Sequence, residues 1–203
     1  MTNHYIGRFA PSPTGRLHAG SLAAALASFI DARAHHGQWL IRIEDVDTGR
    51  CKKEWADDIL QTLSALQMHS DGEIVWQSSR IDRYTDVLNQ LITSGKAYGC
   101  SCTRLEIEKA NEALGLQSNH YPGTCRTGAK SAIRSWRFLT NHEKVTFTDR
   151  WLGEYSQDVE TEVGDFVIKR ADGLFAYQLA VVVDDHDCGV TDIVRGADLI
   201  DNT

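Results

Sequence analysis

The hydrophobic pattern opens on a short predicted strand over Tyr5–Phe9, followed by a Pro/Gly-rich loop from Ala10 to Gly20. A run rich in Ala and Leu then predicts a helix from Leu22 to about His36, with Ser21 as its N-cap and Gly37 as its C-terminal stop. Trp39–Ile43 reads as a short buried strand. Strand, glycine loop, helix, strand is a βαβ unit, the start of a parallel α/β sheet. A second helix is expected over about Lys53–Met68, where Trp55, Ile59, Leu63 and Leu66 make one apolar stripe. A third is expected over about Ile81–Ser94, with Ile81, Tyr84, Leu88 and Leu91 on one face and Gly95 just past its end.

The pattern breaks at Tyr98. Thr103 and Glu106 form a capping box for a short helix to Leu114, and Gly115–Lys130 is loop-like. From Ile133 the texture turns to strands. Val145 and Phe147 alternate with polar neighbours, and Phe166–Lys169 and Leu174–Val183 flank an Ala171–Gly173 turn as a predicted hairpin. The unbroken apolar run Leu179–Val183 predicts a strand buried on both faces, and Ile193 and Val194 begin another short one. The expected organisation is a first half of the sheet domain in residues 1–98, an insert in 99–130 and a second half in 131–203.

A chain of 203 residues suffices for one core with room for such an insert. No apolar run approaches the ~18 residues of a membrane span, and Met1–Phe9 lacks the layout of a secretory signal. A cytoplasmic, soluble, monomeric protein with no membrane partner is therefore expected. The net charge of −7 speaks against indiscriminate nucleic-acid binding, though not against a local basic patch. Five cysteines in such a chain read as reduced thiols or metal ligands.

The candidate chemistry sits in the first loop, Arg8-Phe-Ala-Pro-Ser-Pro-Thr-Gly-Arg-Leu-His-Ala-Gly-Ser21. Pro11 and Pro13 stiffen it, and Gly15 and Gly20 let a ligand approach the backbone. The following helix points free N–H groups into the same space, an anion site at which His18 can donate a hydrogen bond. It is not a P-loop, because the Gly-Lys-Ser/Thr string is absent.

The whole string resembles the first signature of the class I glutamyl and glutaminyl synthetases, whose core form is His-Ile-Gly-His; here it is His18-Ala19-Gly20-Ser21. Ile41–Asp47 is similar to the acidic turn after their second strand. Leu174–Ala180 and Val194–Asp198 are similar to blocks of their second half. The resemblance implies a class I, Rossmann-like parallel sheet. It also implies a nucleotide site at Pro11, Thr14, Gly15, His18, Gly20 and Ser21, with catalytic roles for His18, Gly20 and Ser21. It places L-glutamate at Arg8, Phe9, Ala10, Pro11, Ser12, Glu44, Tyr177 and Arg195. Those residue types suit an amino acid with two carboxylates, since an arginine fork takes a carboxylate and a buried carboxylate takes an ammonium. The implied chemistry is ATP-dependent, with Mg²⁺, through glutamyl-adenylate.

The insert narrows the family. Cys100-x-Cys102, followed by Tyr121-x-x-x-Cys125, resembles the zinc site of the glutamyl-Q-tRNA(Asp) synthetases, short paralogues that attach glutamate to queuosine of tRNA(Asp). By ligand type alone His120 is the expected fourth donor; the resemblance instead places Tyr121 there. Such a zinc is structural, while Cys51 and Cys188 are ordinary thiols outside the cluster. A second signature of the Lys-Met-Ser-Lys-Ser type is not found. The sequence therefore reads as ending before that loop, and these residues alone are expected to be weak or inactive in forming adenylate. Two other readings stand beside this one: part of an ordinary glutamyl-tRNA synthetase, or a non-catalytic nucleotide- or RNA-binding module that kept the fold.

Overall fold

The computed structural model describes residues 4–116 and 120–202. The chain divides into two compact units, one made of residues up to Arg83 and from Ala180 onward, the other of Tyr84–Leu179.

The first unit is built on parallel strands. β1 (Ile6–Phe9) pairs with β2 (Gln38–Ile43) in the register Ile6–Gln38 to Phe9–Ile41, and β2 pairs with β3 (Val75–Trp76). On the far side of β1, Asp192 makes a single parallel bridge to Gly7, and no strand forms at Ile193–Val194, where one was expected to begin. β2 carries the core: Trp39, Ile41 and Ile43 are buried against Ala25 and Ala32 of α1 (Ala19–Ala34) and Ala56, Ile59 and Leu63 of α2 (Lys53–Ala65). Small residues on α1 let the sheet approach closely, and the buried Trp39 indole N–H donates to Ser28 Oγ at 2.9 Å. The stripe on α2 runs through Ala56, Ile59 and Leu63; Leu66 caps the helix and is 54% exposed. Gly37 follows α1 for a different reason from the one expected. The turn takes its positive φ at His36, while a β-carbon on Gly37 would lie 2.4 Å from the Tyr5 carbonyl. Close approach of the chain to β1, not a helix stop, demands the glycine.

α3 (Ile81–Thr93) buries Tyr84 and Leu88 as its spacing predicts, with Ile81 exposed. The second unit holds an antiparallel sheet of β4 (Ala97–Cys100), β5 (Ser135–Phe138) and β8 (Val167–Lys169), in that order. It also holds the hairpin of β6 (Lys144–Asp149) and β7 (Gly153–Asp158), and the short helix α5 (Val159–Glu162). The capping box forms as expected on α4 (Arg104–Leu114), Thr103 and Glu106 satisfying each other's backbone amides. The loop expected over Gly115–Lys130 includes residues 117–119, which lie outside those described.

A further expectation is overturned. Leu179–Val183 is not a buried strand; it lies inside α6 (Tyr177–Asp187). The hairpin turn does form, with Arg170 N–H donating to the Leu174 carbonyl at 2.8 Å, but its second arm is one bridge from Phe175 to Lys169. A short apolar run carries no period of its own, and here Leu179, Ala180 and Val183 are buried while Val182 is 67% exposed, a helical spacing.

Asp165 organises the second unit. Its side chain is fully buried, and it accepts from Arg126 Nε and Nη2 at 2.7 Å each, from the Thr140 amide at 2.9 Å and hydroxyl at 2.8 Å, and from the Tyr98 hydroxyl. Burial pushes this carboxyl up, but the Arg126, Tyr98 and Thr140 hydrogen bonds outweigh it and hold it below the usual range. A depressed carboxyl stabilises the fold above the unfolded carboxylate pKa near 4, and that stability is lost as pH falls through the folded value. Asp165→Asn is therefore expected to lower stability at pH 7 by about 3 kcal/mol, as for one side of a buried ion pair. It should also flatten the loss of stability below about pH 4. Urea melts of both proteins at pH 7 and pH 3.5 check this; equal stability at pH 7 contradicts it.

Candidate active site and metal centre

The loop after β1 is tied to the exit of β2. The Glu44 amide donates to the Pro11 carbonyl at 2.9 Å and the Lys52 amide to the Pro13 carbonyl at 3.0 Å, with Pro11 and Pro13 themselves buried. Thr14 donates its amide to the Ser12 carbonyl at 2.8 Å, which tightens the bend. Beside the Pro13 flank lies a cavity of about 410 Å³ lined by Pro13, Asp45, Cys51, Lys52, Trp76 and Ser78.

The helix cap is a correction. α1 begins at Ala19 with His18 as the N-cap, not after Ser21. His18 Nδ1 accepts from the Ser21 amide at 3.2 Å, the role a Ser or Asp side chain usually plays, while Nε2 lies 3.0 Å from Ser21 Oγ. With Nδ1 accepting, the neutral ring's proton is on Nε2. A β-carbon at Gly20 would stand 3.1 Å from the imidazole, so glycine is what lets the ring fold over the first turn. Gly20 and Ser21 thus lie in that turn, next to amides with no helical partner.

Charged side chains of β1 and the end of β2 meet aspartates of α6 in an ion-pair cluster. Arg8 on β1 is 9% exposed and gives Nε and Nη2 to the two oxygens of Asp185, 3.3 Å each. Arg42 on β2 gives Nη1 to Asp185 Oδ1 at 2.5 Å and Nη2 to Glu44 at 3.3 Å. Asp184 takes Arg80 Nε at 2.6 Å and the Gln77 amide at 2.9 Å, and Asp187 holds Arg80 and Arg83. Burial pushes the Glu44 carboxyl above its usual range against the pull of Arg42 and Arg8. Burial works against the charge on Arg42, and Asp185, Glu44 and Asp184 together more than restore it. Asp45 is engaged elsewhere, accepting from the Ser78 amide at 2.8 Å and hydroxyl at 2.6 Å.

Of the residues expected around glutamate, Arg8 to Ser12 and Glu44 therefore share the first unit with the loop, as does half-buried Arg195 on the segment beyond the Asp192 bridge. Tyr177 opens α6 and belongs to the second unit, 43% exposed. Sequence reasoning missed Arg42, Asp184 and Asp185. The available signal was Arg42 itself, flanked by Ile41 and Ile43 in a strand already read as buried. A charge there needs a partner.

A candidate metal site lies in the second unit. Cys100 at the end of β4, Cys102 two residues on and Cys125 bring their sulfurs within 4.8 Å of one another. The Tyr121 hydroxyl stands 3.3 Å from Cys100 Sγ and 3.8 Å from Cys102 Sγ and accepts from the Cys125 amide at 3.0 Å. Three soft sulfurs and one phenol oxygen converging on a point make a donor set of tetrahedral number. His120 is not in the cluster. Its backbone carbonyl takes the Asn111 amide at 2.7 Å, and a β-carbon at Gly164 would meet its ring at 3.1 Å. Burial pushes the Cys102 thiol up to about 11, whereas Cys125, though burial opposes it too, is drawn down to about 6 by hydrogen bonds from Ser101, Tyr121 and Cys102. Cys51 and Cys188 are free and outside the cluster.

The family model for tRNA synthetases class I (E and Q), catalytic domain, matches residues 6–203. The glutamyl-Q tRNA(Asp) synthetase of Bordetella bronchiseptica is 57% identical across 98% of this chain and 64% of its own length. That of Albidiferax ferrireducens is 52% identical across 100% of this chain and 75% of its own. Among solved structures, a glutamate tRNA ligase from Elizabethkingia meningosepticum in complex with its amino acid superposes with a TM-score of 0.83 at 26% identity, over 98% of this chain and 45% of that one. The chain thus spans less than two thirds of the Bordetella relative and under half of the solved ligase. The chain belongs to the class I (E and Q) tRNA synthetase catalytic-domain family, within its glutamyl-Q tRNA(Asp) synthetase branch.

Proposed function

We propose that the chain is the glutamate-activating part of an enzyme that joins L-glutamate to queuosine at the wobble position of tRNA(Asp), in the cytoplasm, at the expense of ATP with Mg²⁺. The observation that carries it is that buried Arg8 and half-buried Glu44 belong to one ion-pair cluster, linked through Asp185 and Arg42, with the Glu44 amide bonded to Pro11 of the His18 loop. One supplies a cation for a carboxylate and the other a carboxylate for an ammonium, the two ends of an amino acid. In this reading Phe9, Ala10, Pro11, Ser12 and Arg195 make further glutamate contacts, and the family resemblance adds Tyr177. An ordinary glutamyl-tRNA synthetase is the weaker reading, because the relatives above carry the modified-base name and the insert holds the Cys100, Cys102, Tyr121, Cys125 set.

In the first step a glutamate α-carboxylate oxygen attacks the α-phosphorus of ATP and the bond to the β-phosphate bridge breaks, releasing pyrophosphate. In the second an acceptor hydroxyl attacks the activated carbonyl, AMP leaves, and the hydroxyl proton passes to solvent or to AMP. Neither step needs a covalent nucleophile on the protein. Pro11, Thr14 and Gly15 shape the nucleotide cradle, and His18 turns from Ser21 to the phosphates. That movement frees the Ser21 amide, which with the neighbouring Gly20 amide steadies the developing charge. Zinc on Cys100, Cys102, Tyr121 and Cys125 would act structurally, because four protein ligands leave no open position.

Calorimetric titration tests the amino-acid half of this reading directly. L-Glutamate is expected to bind, with L-glutamine at least about 10-fold weaker, because a neutral amide leaves an arginine unpaired. Equal affinity for the two, or no binding of either, counts against the reading.

A further inference from the structure

Asp185 stands where the two halves of the glutamate site meet, yet no expectation from the sequence gave it a role. It comes from α6, while Arg8 and Glu44 belong to β1 and the exit of β2. Its Oδ1 is shared by Arg8 Nε at 3.3 Å and Arg42 Nη1 at 2.5 Å, and its Oδ2 takes Arg8 Nη2 at 3.3 Å. Arg42 then reaches Glu44 with its other terminal nitrogen. The Arg42 side chain is 3% exposed and that of Asp185 14%, so these contacts form out of bulk water.

We infer that Asp185 is a positioning residue for glutamate. It holds Arg8 by one edge of the guanidinium, and through Arg42 it holds Glu44, so the cation and the carboxylate stay apart and available to ligand.

Charge balance is the reason. Arg8 and Glu44 already attract one another within the site. Opposite charges left without other partners would be drawn toward one another. Asp185 supplies the counter-charge that Arg8 would otherwise draw from Glu44, and Arg42 does the same for Glu44. Because Asp185 occupies only Nε and one Nη2 direction, Arg8 keeps Nη1 for a ligand carboxylate, the geometry a planar fork allows and a lysine does not. Asp184 lies beside the same cluster, its Oδ2 3.8 Å from Arg42 Nε, but its short hydrogen bonds go to Arg80 and Gln77.

The inference rests on the glutamate reading above, so its test is arranged to separate the two. L-Glutamate and ATP are titrated into the wild-type protein and into Asp185→Asn, Asp185→Glu and Asp187→Asn. Asp187 holds Arg80 and Arg83 and touches neither Arg8 nor Glu44, so it reports on the stability of the ion-pair cluster alone. Asp185→Asn is expected to weaken glutamate on the order of 10- to 100-fold, with ATP affinity within about 2-fold. Asp185→Glu keeps the charge but displaces the Arg8 fork, and should weaken glutamate by about 3- to 10-fold with an unchanged melting temperature. Asp187→Asn should lower the melting temperature and leave glutamate affinity alone. If Asp185→Asn does not fold, Asp185→Glu decides. Wild-type glutamate affinity in the folded Asp185 variants, or equal losses for glutamate and ATP, overturns the positioning role. Failure of the wild type itself to bind glutamate overturns the glutamate reading instead.

Discussion

Treatment with a strong chelator is expected to lower the melting temperature of the protein by roughly 10 °C and to release one zinc per chain. The size of the effect follows from how little else holds the insert. Its buried cluster is Cys100, Tyr121 and Cys125, with Tyr98, Cys102 and Ile107 partly buried around them. A core of that size does not offset the entropy of ordering the loop. Isolated zinc-finger peptides take about 10–16 kcal/mol of apparent binding energy from the ion and are unfolded without it. Here the β4–β5 pairing and the capping box of α4 add backbone hydrogen bonds of their own. The expected contribution is therefore smaller, about 3–5 kcal/mol, which corresponds to roughly 10 °C for a domain of this size. Cys100→Ser should reproduce the loss. Tyr121→Phe separates the two candidate fourth donors: it keeps the ring on which the Arg137 guanidinium stacks at 3.6 Å and removes only the oxygen. It is expected to lower zinc affinity about 10- to 100-fold by competition with a chromophoric chelator, whereas His120→Ala should not. A protein that purifies without zinc and melts identically with and without chelator would show that the cluster is three thiols and a phenol, nothing more.

Arg8→Ala carries the second large effect. Arg8 is nearly buried and shares Asp185 with Arg42, so its removal leaves Asp185 partly unpaired and takes away the guanidinium proposed to face glutamate. Truncating one member of a buried, hydrogen-bonded charge pair at a binding site costs about 2–5 kcal/mol. Glutamate affinity should fall by roughly 100-fold or more. Arg8→Lys should recover little of it, because an ammonium cannot address Asp185 and a ligand carboxylate with separate edges. Glutamate binding by Arg8→Ala within a few-fold of wild type would remove Arg8 from the site.

Much of the first unit was legible in the chain because its signals are local. The Ala-rich stretch of α1 and the buried Trp39–Ile43 run each announce their element within a dozen residues, as the Thr103/Glu106 capping box does in the second unit. The three cysteines gathered as their spacing suggested, with the Tyr121 hydroxyl among them. Two things were not legible. Leu179–Val183 carries no alternation and is too short to show a helical period, so only the packing of Leu179, Ala180 and Val183 settles it as part of α6. The Arg42–Asp185 contact joins residues 143 positions apart, and placing Asp184 and Asp185 at the end of a strand hid the face they present. Likewise a histidine is an uncommon N-cap, so Ser21 drew the helix start three residues too late.

The measurement closest to the central claim is transfer of labelled glutamate to tRNA. The full-length natural protein is given ATP, Mg²⁺, L-glutamate and, in parallel, tRNA(Asp) with queuosine at the wobble position, the same tRNA with unmodified guanosine there, and tRNA(Glu). Label is expected on the queuosine-containing tRNA(Asp) alone, attached in the anticodon loop. Label on tRNA(Glu), or on tRNA(Asp) regardless of queuosine, would contradict the proposed function.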